Sequence, residues 1–428
     1  MLYLLLEDFR AGEMVISMRI AVIGGGASGM MAAITAARAG ARVVLFEKND
    51  RMGKKILVTG NGKCNLSNLS FSDSCFHSKE KEKAWKIASR FTPRDTIPFF
   101  EGLGLMMKDK NGYLYPACEQ ASAVLDVLRY EVQARGIEVR YGAAVEQIQP
   151  LGEKGFALTV NGHAERFERV IVACGGQASP KTGSDGSGYR LMKALNIKMV
   201  RPVPALVQLR CQEKGFQALA GIRCDAALTL LIDGQEAARE RGELQMTDYG
   251  ISGIPVFQFS RYAAYALEKG RRIQVRIDLL PELFAEQIPD WLKQRMERLK
   301  GRSAEEFLTG TVHKKWILYF LKEMGIKPNG EADNIPLSRW IDLIERFKSF
   351  TVTVTDTNSF QNAQVCAGGV SLRQVDENLE STQYKGLFLA GELLDVDGRC
   401  GGYNLQWAWC SGYLAGTYAA RERKKDSV

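Results

Sequence analysis

The sequence predicts an α/β fold that is divided into more than one domain. The first observation is a short apolar run, Ile20–Ile23, of the kind that forms a buried parallel strand. The second is a glycine pattern directly after this run, followed by small helix-forming residues. The third is the length of 428 residues, which is more than one compact hydrophobic core usually organises.

Composition and charge indicate an ordinary globular protein. Hydrophobic residues make up 46% of the chain and charged residues 25%, as in typical soluble domains. There are 57 basic and 49 acidic residues, and part of the net charge of +8 lies in the terminal run 421–426. A solvated charged terminus explains this run better than a binding patch, so we expect no nucleic-acid partner.

Cysteine and histidine usage excludes several classes of site. The nine cysteines include no CxxC pair, which is typical of free thiols in a reducing compartment. His77, His163 and His313 are far apart in sequence, so we expect no metal site and no histidine triad. No run approaches the ~20 apolar residues of a membrane span. We therefore expect a cytoplasmic protein without membrane contact, and an N-terminal extension, 1–17, outside the fold.

The first strand leads into a G-x-G-x-x-G pattern formed by Gly24, Gly26 and Gly29. In a βαβ unit these glycines permit the tight turn, the approach of a pyrophosphate and close helix packing, respectively. The amides at the start of the following helix would face the phosphates. Glu47 follows the second strand, Arg42–Phe46, where a carboxylate accepts hydrogen bonds from a ribose. A tight turn alone would explain the glycines but not Glu47, so we predict a dinucleotide site.

Two further glycine clusters are predicted to approach the same ligand. Gly53 and the loop Thr59-Gly60-Asn61-Gly62 offer backbone amides, a hydroxyl and a side-chain amide, with lysines nearby. The buried strand Arg169–Ala173 ends in Cys174, Gly175 and Gly176, where a returning strand would bring its backbone against the cofactor. The alternative for the first cluster is a surface loop without a ligand.

The C-terminal part is predicted to return to the far end of the cofactor. The strand Leu387–Ala390 is followed by Gly391 and then by a glycine-rich helix start at Gly401–Leu405. Gly401 and Gly402 would let the backbone lie close to a flat ring. The positive end of the helix would stabilise negative charge that develops on that ring.

Four blocks together resemble the HI0933-like flavoproteins, a family of NAD(P)/FAD-dependent oxidoreductases of the aminoacetone oxidase and 3-dehydro-bile acid Δ4,6-reductase type. The blocks are IGGGASGMMAA with Glu47, GKKILVTGNGKCNLSN, VIVACGGQASPKTGSDGSGY and AGELLDVDGRCGGYNLQWAWCSG. The resemblance covers Met18 to the C-terminus. It implies a glutathione-reductase-like FAD-binding Rossmann domain with an inserted β-barrel plus helical domain. The implied parts are 18–198 and 350–428 for the FAD-binding domain and 199–349 for the insert.

The resemblance also implies which residues contact a tightly bound FAD. These are Gly24, Gly26, Ala27, Ser28 and Gly29 at the pyrophosphate, Glu47 and Lys48 at the ribose, Val145 near the adenine, Gly53, Lys55, Thr59, Gly60, Asn61, Gly62 and Asn65 along the middle, Ala173 and Gly175 on the returning strand, and Gly391, Glu392, Gly401, Tyr403, Asn404 and Leu405 at the isoalloxazine. The chain departs from the family pattern at Asp248, where histidine is common, and at Cys400, where threonine is common.

The region between about 200 and 350 is predicted to form the insert. Ala205–Cys211, Ala226–Ile232, Arg272–Leu279 and Ser349–Thr355 are expected as strands, and Leu283–Leu299, Ala304–Leu308, Lys314–Met324 and Pro336–Phe347 as helices. The aromatic residues Trp316, Tyr319 and Phe320 are expected in a core and not in a pocket. A substrate pocket is expected between the insert and the flavin, because pockets favour domain interfaces.

The leading hypothesis is an FAD-dependent oxidoreductase that takes hydride from NAD(P)H and reduces a C=C bond conjugated to a carbonyl. The substrate would be a small organic molecule, steroid-like or bile-acid-like. Because one G-x-G-x-x-G is present, NAD(P)H would dock transiently. Tyr403 or Asp248 could donate a proton, and the thiols of Cys64 and Cys400 are expected to be spectators. The alternatives are an FAD-dependent amine oxidase and a non-enzymatic protein that holds FAD as a structural or sensing ligand.

Overall fold

The computed structural model of the chain describes residues 18–213 and 216–421. The predicted N-terminal extension, 1–17, and nearly all of the terminal basic run lie outside the described residues. Within the described part of the chain, no helix is long and apolar enough to cross a membrane.

The chain passes through three segments. The first contains β1 (Arg19–Ile23), α1 (Ala27–Arg38), β2 (Arg42–Phe46), β3 (Ser67–Asn68), β4 (Phe76–His77), α2 (Lys81–Ala88), α3 (Pro93–Glu101), β5 (Met107–Lys110), β6 (Tyr113–Pro116), α4 (Ala121–Ala134), β7 (Glu138–Arg140), β8 (Val145–Pro150), β9 (Phe156–Val160), β10 (His163–Phe167), β11 (Arg169–Val172) and α5 (Ser187–Ala194). The second contains β12 (Met199–Ala205), β13 (Leu209–Cys211), α6 (Phe216–Leu219), β14 (Arg223–Ile232), β15 (Gln235–Met246), β16 (Gly250–Ser252), α7 (Ile254–Glu268), β17 (Ile273–Asp278), α8 (Ile288–Arg298), α9 (Ala304–Leu308), α10 (Lys314–Glu323), α11 (Leu337–Lys348) and β18 (Phe350–Thr357). The third contains α12 (Ser359–Asn362), β19 (Val365–Val370), β20 (Leu387–Leu389), β21 (Asp397–Gly398) and α13 (Tyr403–Ala419).

A five-stranded parallel sheet organises the first and third segments, in the order β20-β11-β1-β2-β7. Its central strand β1 pairs with β2 on one side and with β11 on the other, so that Ile20 stands between Val43 and Arg169. The runs RIAVI and RVVLF are largely apolar because both faces of the sheet are covered: α1 and α13 pack on one face, and the antiparallel sheet β10-β9-β8 packs on the other, where Phe46 contacts Phe167. The predicted strands β1, β2 and β20 are thus confirmed, and the chain closes its main sheet with its C-terminal part.

The last helix packs on the first helix through small residues. Gly412 and Gly416 lie within α13, and the helix continues through both glycines. A Cβ at Gly412 would overlap the carbonyl oxygen of Ser28, and one at Gly416 would overlap that of Ala32. The absence of side chains at these two positions lets the two helices approach closely, so the two ends of the described chain form one layer.

The insert is a closed six-stranded antiparallel barrel in the order β13-β16-β15-β14-β17-β18. Helices α8 to α11 pack beside it and share its hydrophobic core. Trp316 and Phe320 are buried in this core, where Phe320 contacts Phe347 and Phe350, and Tyr319 is partly buried at its edge. The prediction that these aromatic residues form a core is therefore confirmed.

Several predicted elements differ from the structure. The single strand expected at Ala205–Cys211 is two strands, because Leu206 takes a left-handed conformation with φ 49° and turns the chain from β12 into β13. The strand predicted at Arg169–Ala173 is observed as β11 in the main sheet, and the preceding strand β10, which pairs with β9, ends just before it at Phe167. The strand β18 lies beyond residue 349, the predicted end of the insert, and closes the barrel. Strand β15 and helix α7 were not predicted.

Candidate functional site

A cavity of about 680 Å³ lies between the main sheet and the insert. Its walls come from the loop after β1, the end of β2, the segment 53–65, the start of α13 and the start of α7. The volume falls within the range of roughly 300–1,000 Å³ that is common for small-molecule and cofactor sites. Both ends of the described chain therefore meet at one site, as predicted.

The three glycines of the first loop have three different surroundings. Gly24 has φ 104°, and a Cβ there would stand 2.6 Å from the carbonyl oxygen of Ala173. A Cβ at Gly29 would overlap the carbonyl oxygen of Gly24. A Cβ at Gly26 would meet nothing within 4 Å, because Gly26 faces the open cavity. Gly26 also caps α1, so the unpaired amides of the first turn of α1 open onto this space.

Glu47 is buried and fixes the glycine loop in addition to lining the cavity. Its Oε2 accepts a hydrogen bond from the backbone N–H of Gly25 at 2.9 Å. Its Oε1 accepts bonds from the backbone N–H of Asn49 at 2.8 Å and from the Nδ2 of Asn49 at 2.7 Å. Since each carboxylate oxygen carries two lone pairs, acceptor capacity remains for ribose hydroxyls.

The loop at 56–62 combines glycine geometry with a charged pair at its base. Gly60 and Asn61 both have positive φ, at 55° and 54°, so the loop turns its backbone towards the cavity. The Nζ of Lys55 donates to the Oε2 of Glu392 at 2.7 Å. The Oε1 of Glu392 accepts from the backbone N–H of Cys366 at 2.8 Å. This pair joins the middle of the cavity wall to the turn after β20.

The start of α13 is held by the side chain of Asn404. Its Oδ1 accepts from the backbone N–H of Gly398 and its Nδ2 donates to the carbonyl oxygen of Gly398, each at 2.8 Å. Gly401 and Gly402 follow with φ 128° and 95°, a conformation that side chains rarely adopt. Asn404 therefore positions the turn that presents the helix start to the cavity.

Two buried polar atoms along the cavity have no hydrogen-bond partner among the described residues. They are the Oδ1 of Asn65 and the Oγ of Ser184, and both residues line the cavity. Buried polar atoms in folded proteins are nearly always paired, so these two indicate a polar ligand. Together with the open face of Gly26, they fit a dinucleotide such as FAD in this part of the cavity.

Most predicted cofactor contacts line this cavity. The lining residues are Gly24, Gly26, Ala27, Ser28, Glu47, Lys48, Gly53, Lys55, Thr59, Gly60, Asn61, Asn65, Val145, Ala173, Gly175, Glu392, Gly401, Asn404 and Leu405. Four predicted residues do not line it: Gly29, Gly62, Gly391 and Tyr403. Gly391 is packed against Ser28, and the hydroxyl of Tyr403 donates to the carbonyl oxygen of Ser70 at 2.7 Å. Gly391 and Tyr403 therefore support the wall from behind, whereas Gly62 is exposed.

The two predicted proton donors lie away from the cavity. Asp248 is exposed in the turn between β15 and β16 and is not a lining residue. Burial raises the pKa of Tyr403 above its ordinary value, and its hydroxyl is occupied by Ser70. Burial also raises the pKa of the Cys64 and Cys400 thiols to about 12, so both are protonated and unreactive at neutral pH.

The outer part of the cavity was not predicted residue by residue. We call it the outer chamber, and it is lined by Val58, Tyr113, Tyr115, Leu206, Ile254, Phe257, Gln258, Arg399 and Cys400. Val58 and Ile254 are large apolar residues that remain more than half exposed, at 60% and 58%. Both residues contribute apolar surface to the lining of the cavity. The sequence offered no local signal, because these residues come from segments that are distant along the chain.

Two ion pairs join the insert to the segment before α13. Arg261 on α7 makes two hydrogen bonds to the carboxylate of Asp397, at 2.9 and 3.2 Å, and both side chains are largely buried. The Nη2 of Arg399 donates to both oxygens of Glu240 on β15, at 2.8 and 2.9 Å. The insert is thereby fixed beside the start of α13.

Comparisons with known proteins identify several relatives of this chain. Residues 18–418 match the sequence pattern of the family described as HI0933-like protein Rossmann domain. The chain is 45% identical over 405 residues to the 3-dehydro-bile acid Δ(4,6)-reductase of Clostridium scindens, covering 94% of this chain and 99% of that protein. It is 30% identical to the ribosomal RNA dihydrouridine synthase of Haemophilus influenzae, covering 94% and 98%. A solved flavocytochrome c3 fumarate reductase structure is similar with a TM-score of 0.48 and 16% identity, covering 94% and 78%.

Proposed function

The chain belongs to the HI0933-like Rossmann family and is a flavin-dependent oxidoreductase, and we propose that it reduces a C=C bond conjugated to a carbonyl. The proposed substrate is a steroid-like or bile-acid-like small molecule, and the proposed source of hydride is NAD(P)H. The observation that carries the proposal is the 45% identity with a bile acid reductase over 99% of that protein. This identity spans the insert as well as the FAD-binding domain, and therefore includes the segments that build the outer chamber.

The character of the outer chamber supports a flat apolar substrate. Its walls include Leu206, Ile254 and Phe257 from the insert, with Tyr113 and Tyr115 from the opposite side. A fused hydrocarbon ring system buries a large apolar area, and aromatic walls suit such a shape. With such a substrate bound, these walls would leave little room for water, which would strengthen electrostatic interactions in the chamber.

The residues along the inner cavity would hold FAD, which supplies hydride-transfer chemistry when bound. The amides at the start of α1, next to Gly26, would hold the pyrophosphate. Glu47 would bind the ribose while it keeps the glycine loop in place. The Oδ1 of Asn65 would accept a hydrogen bond that the described residues do not offer. The first turn of α13, beginning at Tyr403, would place its positive end at the ring.

Anaerobic titration of the purified holoenzyme tests the proposal. NADH or NADPH is expected to bleach the flavin absorbance, and a 3-oxo-4-ene or 3-oxo-4,6-diene steroid is expected to restore it with loss of the double bond. A saturated 3-oxo steroid is the control and should not restore the absorbance. Rapid formation of hydrogen peroxide with a small amine and oxygen would favour an amine oxidase instead. If no nicotinamide or amine reduces the flavin, the proposal fails in favour of a non-enzymatic role.

A second candidate function is reduction of a uracil base in ribosomal RNA. It is favoured by the 30% identity with a ribosomal RNA dihydrouridine synthase, again over nearly the whole chain. Dihydrouridine is uridine whose ring double bond, conjugated to a carbonyl, has been reduced, so the bond chemistry is the same. Incubating the reduced enzyme with unmodified ribosomal RNA and measuring dihydrouridine by mass spectrometry tests this candidate, and reoxidation by RNA but not by steroids would favour it.

A further inference from the structure

Two side chains in the outer chamber carry N–H donors in otherwise apolar surroundings. They are Gln258, in the second turn of α7, and Arg399, three positions before the N-cap residue of α13. Both are half-buried, whereas the amides Asn362 and Gln364 on the cavity wall are exposed. The chamber thus offers a small number of donors at its partly buried end, close to the glycines that begin α13.

The hydrogen bond made by Gln258 determines which end of its amide remains free. The backbone N–H of Cys400 donates to the Oε1 of Gln258 at 3.0 Å. Because a backbone N–H needs an acceptor, the amide oxygen must face Cys400, and the Nε2 group must face elsewhere. No acceptor for Nε2 is found among the described residues. Gln258 therefore keeps two donor hydrogens for a ligand in the chamber.

Arg399 is oriented in a similar way by an acidic partner. Its Nη2 donates to both carboxylate oxygens of Glu240, at 2.8 and 2.9 Å. Within residues 18–213 and 216–421, no acceptor contacts its Nε or Nη1. A guanidinium that is anchored on one side and open on the other is suited to bind an oxygen atom that carries negative charge. Arg399 is adjacent in sequence to Cys400, which holds the amide of Gln258. Both donors are therefore connected to the segment that leads into α13.

We propose that Gln258 and Arg399 are catalytic residues that bind the carbonyl oxygen of the substrate and stabilise the enolate formed during reduction. This inference rests on the proposed function and specifies its substrate class, because it requires a carbonyl conjugated to the double bond. Donors aimed at the atom on which charge develops act strongly in a site that excludes water.

The step balances as follows in atoms and electrons. Hydride adds to the β carbon, where a C–H bond forms and the C=C π bond breaks. The electron pair moves through the former single bond onto the carbonyl oxygen, which becomes an enolate held by Gln258 and Arg399. The enolate then takes a proton from solvent water at the α carbon, the carbon–oxygen π bond forms again and the carbonyl is restored. The two electrons come from the nicotinamide of the proposed function.

The variant Gln258→Glu separates a catalytic role from a structural one. Glutamate keeps the shape of the side chain and an oxygen that accepts from Cys400, but it replaces the two donor hydrogens by a second acceptor. If Gln258 only positions Cys400, Gln258→Glu should retain activity and Gln258→Leu should lose it. If Gln258 binds the carbonyl oxygen, both variants should be impaired, and Gln258→Glu at least as strongly.

The first measurement separates the two half-reactions of each holoenzyme. Flavin reduction by NAD(P)H is expected to be unchanged, while kcat for the enone is expected to fall about a hundredfold in Gln258→Glu and Gln258→Leu, the effect of losing one such donor. Arg399→Gln is expected to show a similar loss, and Arg399→Lys a smaller one. The matched controls are Gln235→Leu and Arg239→Gln, both on the exposed β14–β15 hairpin. Flavin content and circular dichroism establish that each variant is folded.

The second measurement does not depend on turnover. 4-Nitrophenol is used as an enolate mimic, and its ionisation in the oxidised holoenzyme is followed by difference absorbance. The unaltered protein is expected to bind the phenolate at least tenfold more tightly than Gln258→Glu does. Equal phenolate binding, no binding by the unaltered protein, or an unchanged kcat in folded Gln258→Glu would overturn the inference. Failure of the unaltered protein to reduce any enone would count against the proposed function instead, and the phenolate measurement would still decide the role of the two donors.

Discussion

Gly412 of α13 lies directly against Ser28 of α1, where the last helix of the chain crosses the first. A Cβ at this position would overlap the carbonyl oxygen of Ser28 and stand 2.9 Å from the Cβ of Met31. Ser28 lines the cavity, and the neighbouring Ser411 accepts a hydrogen bond from the backbone N–H of Gly391 at 2.9 Å. The glycine loop and α13 are therefore held together by a close contact between α13 and the backbone of α1.

Replacement of Gly412 by alanine is expected to weaken both folding and FAD retention. The added methyl group forces α1 and α13 apart, and overpacking of this kind typically costs about 1–3 kcal/mol. We expect a lower thermal midpoint and a purified protein with less bound flavin. Thr417→Ala serves as the control, because Thr417 lies on the same helix at a partly exposed position. A Gly412→Ala protein with full flavin content and an unchanged midpoint would contradict the assigned contact.

Replacement of Asn65 is expected to separate FAD affinity from apo-protein stability. Because the Oδ1 of Asn65 has no partner among the described residues, Asn65→Leu removes an unpaired buried oxygen. We expect the apo-protein to be equally stable or more stable by about 1 kcal/mol, and the Kd for FAD to rise about tenfold. Titration of the apo-protein with FAD and urea unfolding measure the two quantities.

Asn68 provides the matched comparison for Asn65. Its Oδ1 accepts from the backbone N–H of Ser70 at 2.9 Å, and its Nδ2 donates to the carbonyl oxygen of Gly401 at 3.1 Å. Asn68→Leu should therefore destabilise the apo-protein, because it leaves buried backbone groups without partners. If both leucine variants destabilise the apo-protein equally, the Oδ1 of Asn65 is not an unpaired atom that awaits a ligand.

The ion pair between Arg261 and Asp397 is expected to be costly to break from one side. Asp397→Asn leaves a buried guanidinium without its counter-charge, which typically costs about 3–5 kcal/mol. The double variant Arg261→Met/Asp397→Leu should recover most of this loss, because neither charge then remains buried. Glu243→Gln breaks the exposed pair with Arg223 and should cost less than about 1 kcal/mol. Urea unfolding of the four proteins measures the differences, and a small effect of Asp397→Asn would be inconsistent with a buried pair.

His77 is expected to make the protein sensitive to acid. Burial lowers the pKa of His77 from 6.5 to about 3, with further contributions from the positive charges of Arg261, Arg399 and Lys81. The native protein holds the imidazole neutral, whereas the unfolded chain binds a proton below pH 6.5. The contribution of His77 to stability is therefore present above pH 6.5 and is lost as the pH falls towards 3, by up to about 1.4 kcal/mol per pH unit.

The variant His77→Gln tests whether His77 lowers the stability of the protein as the pH falls. Its free energy of unfolding should fall less steeply than that of the unaltered protein between pH 6.5 and pH 4, while other groups titrate equally in both. His163→Gln is the control, since this histidine is exposed on β10. Parallel pH profiles for the His77→Gln and unaltered proteins would show that the imidazole does not resist protonation in the native state.

The fold and the inner site could be predicted well because their signals are local. The strands β1 and β2, the glycine loop and Glu47 lie within thirty residues or so of one another, in an order that one βαβ unit imposes. The later glycine clusters were recognisable because glycine at a strand end marks a close approach of the backbone. The prediction was less accurate where the backbone conformation of a single residue redirects the chain. Leu206 is an example, because a leucine in a sequence does not indicate a positive φ.

The roles of individual residues at the wall could not be predicted with the same accuracy. Gly29, Gly62, Gly391 and Tyr403 belong to recognisable blocks, yet they do not line the cavity. A motif fixes the backbone path but not which face of that path meets the ligand. Asp248 illustrates the same limit, since its block has the family pattern while the residue itself lies exposed in a barrel turn.

By itself, the sequence determined the dinucleotide-binding unit, the return of the C-terminal segment and the type of cofactor, because each depends on residues that are near neighbours along the chain. The tertiary structure alone decided the outer chamber, in which Gln258 from the insert meets Cys400 from the third segment. Such a meeting depends on the closure of a barrel and on the packing of α7 beside α13. The outer chamber is therefore formed by long-range packing, whereas the dinucleotide-binding unit follows from a local sequence pattern.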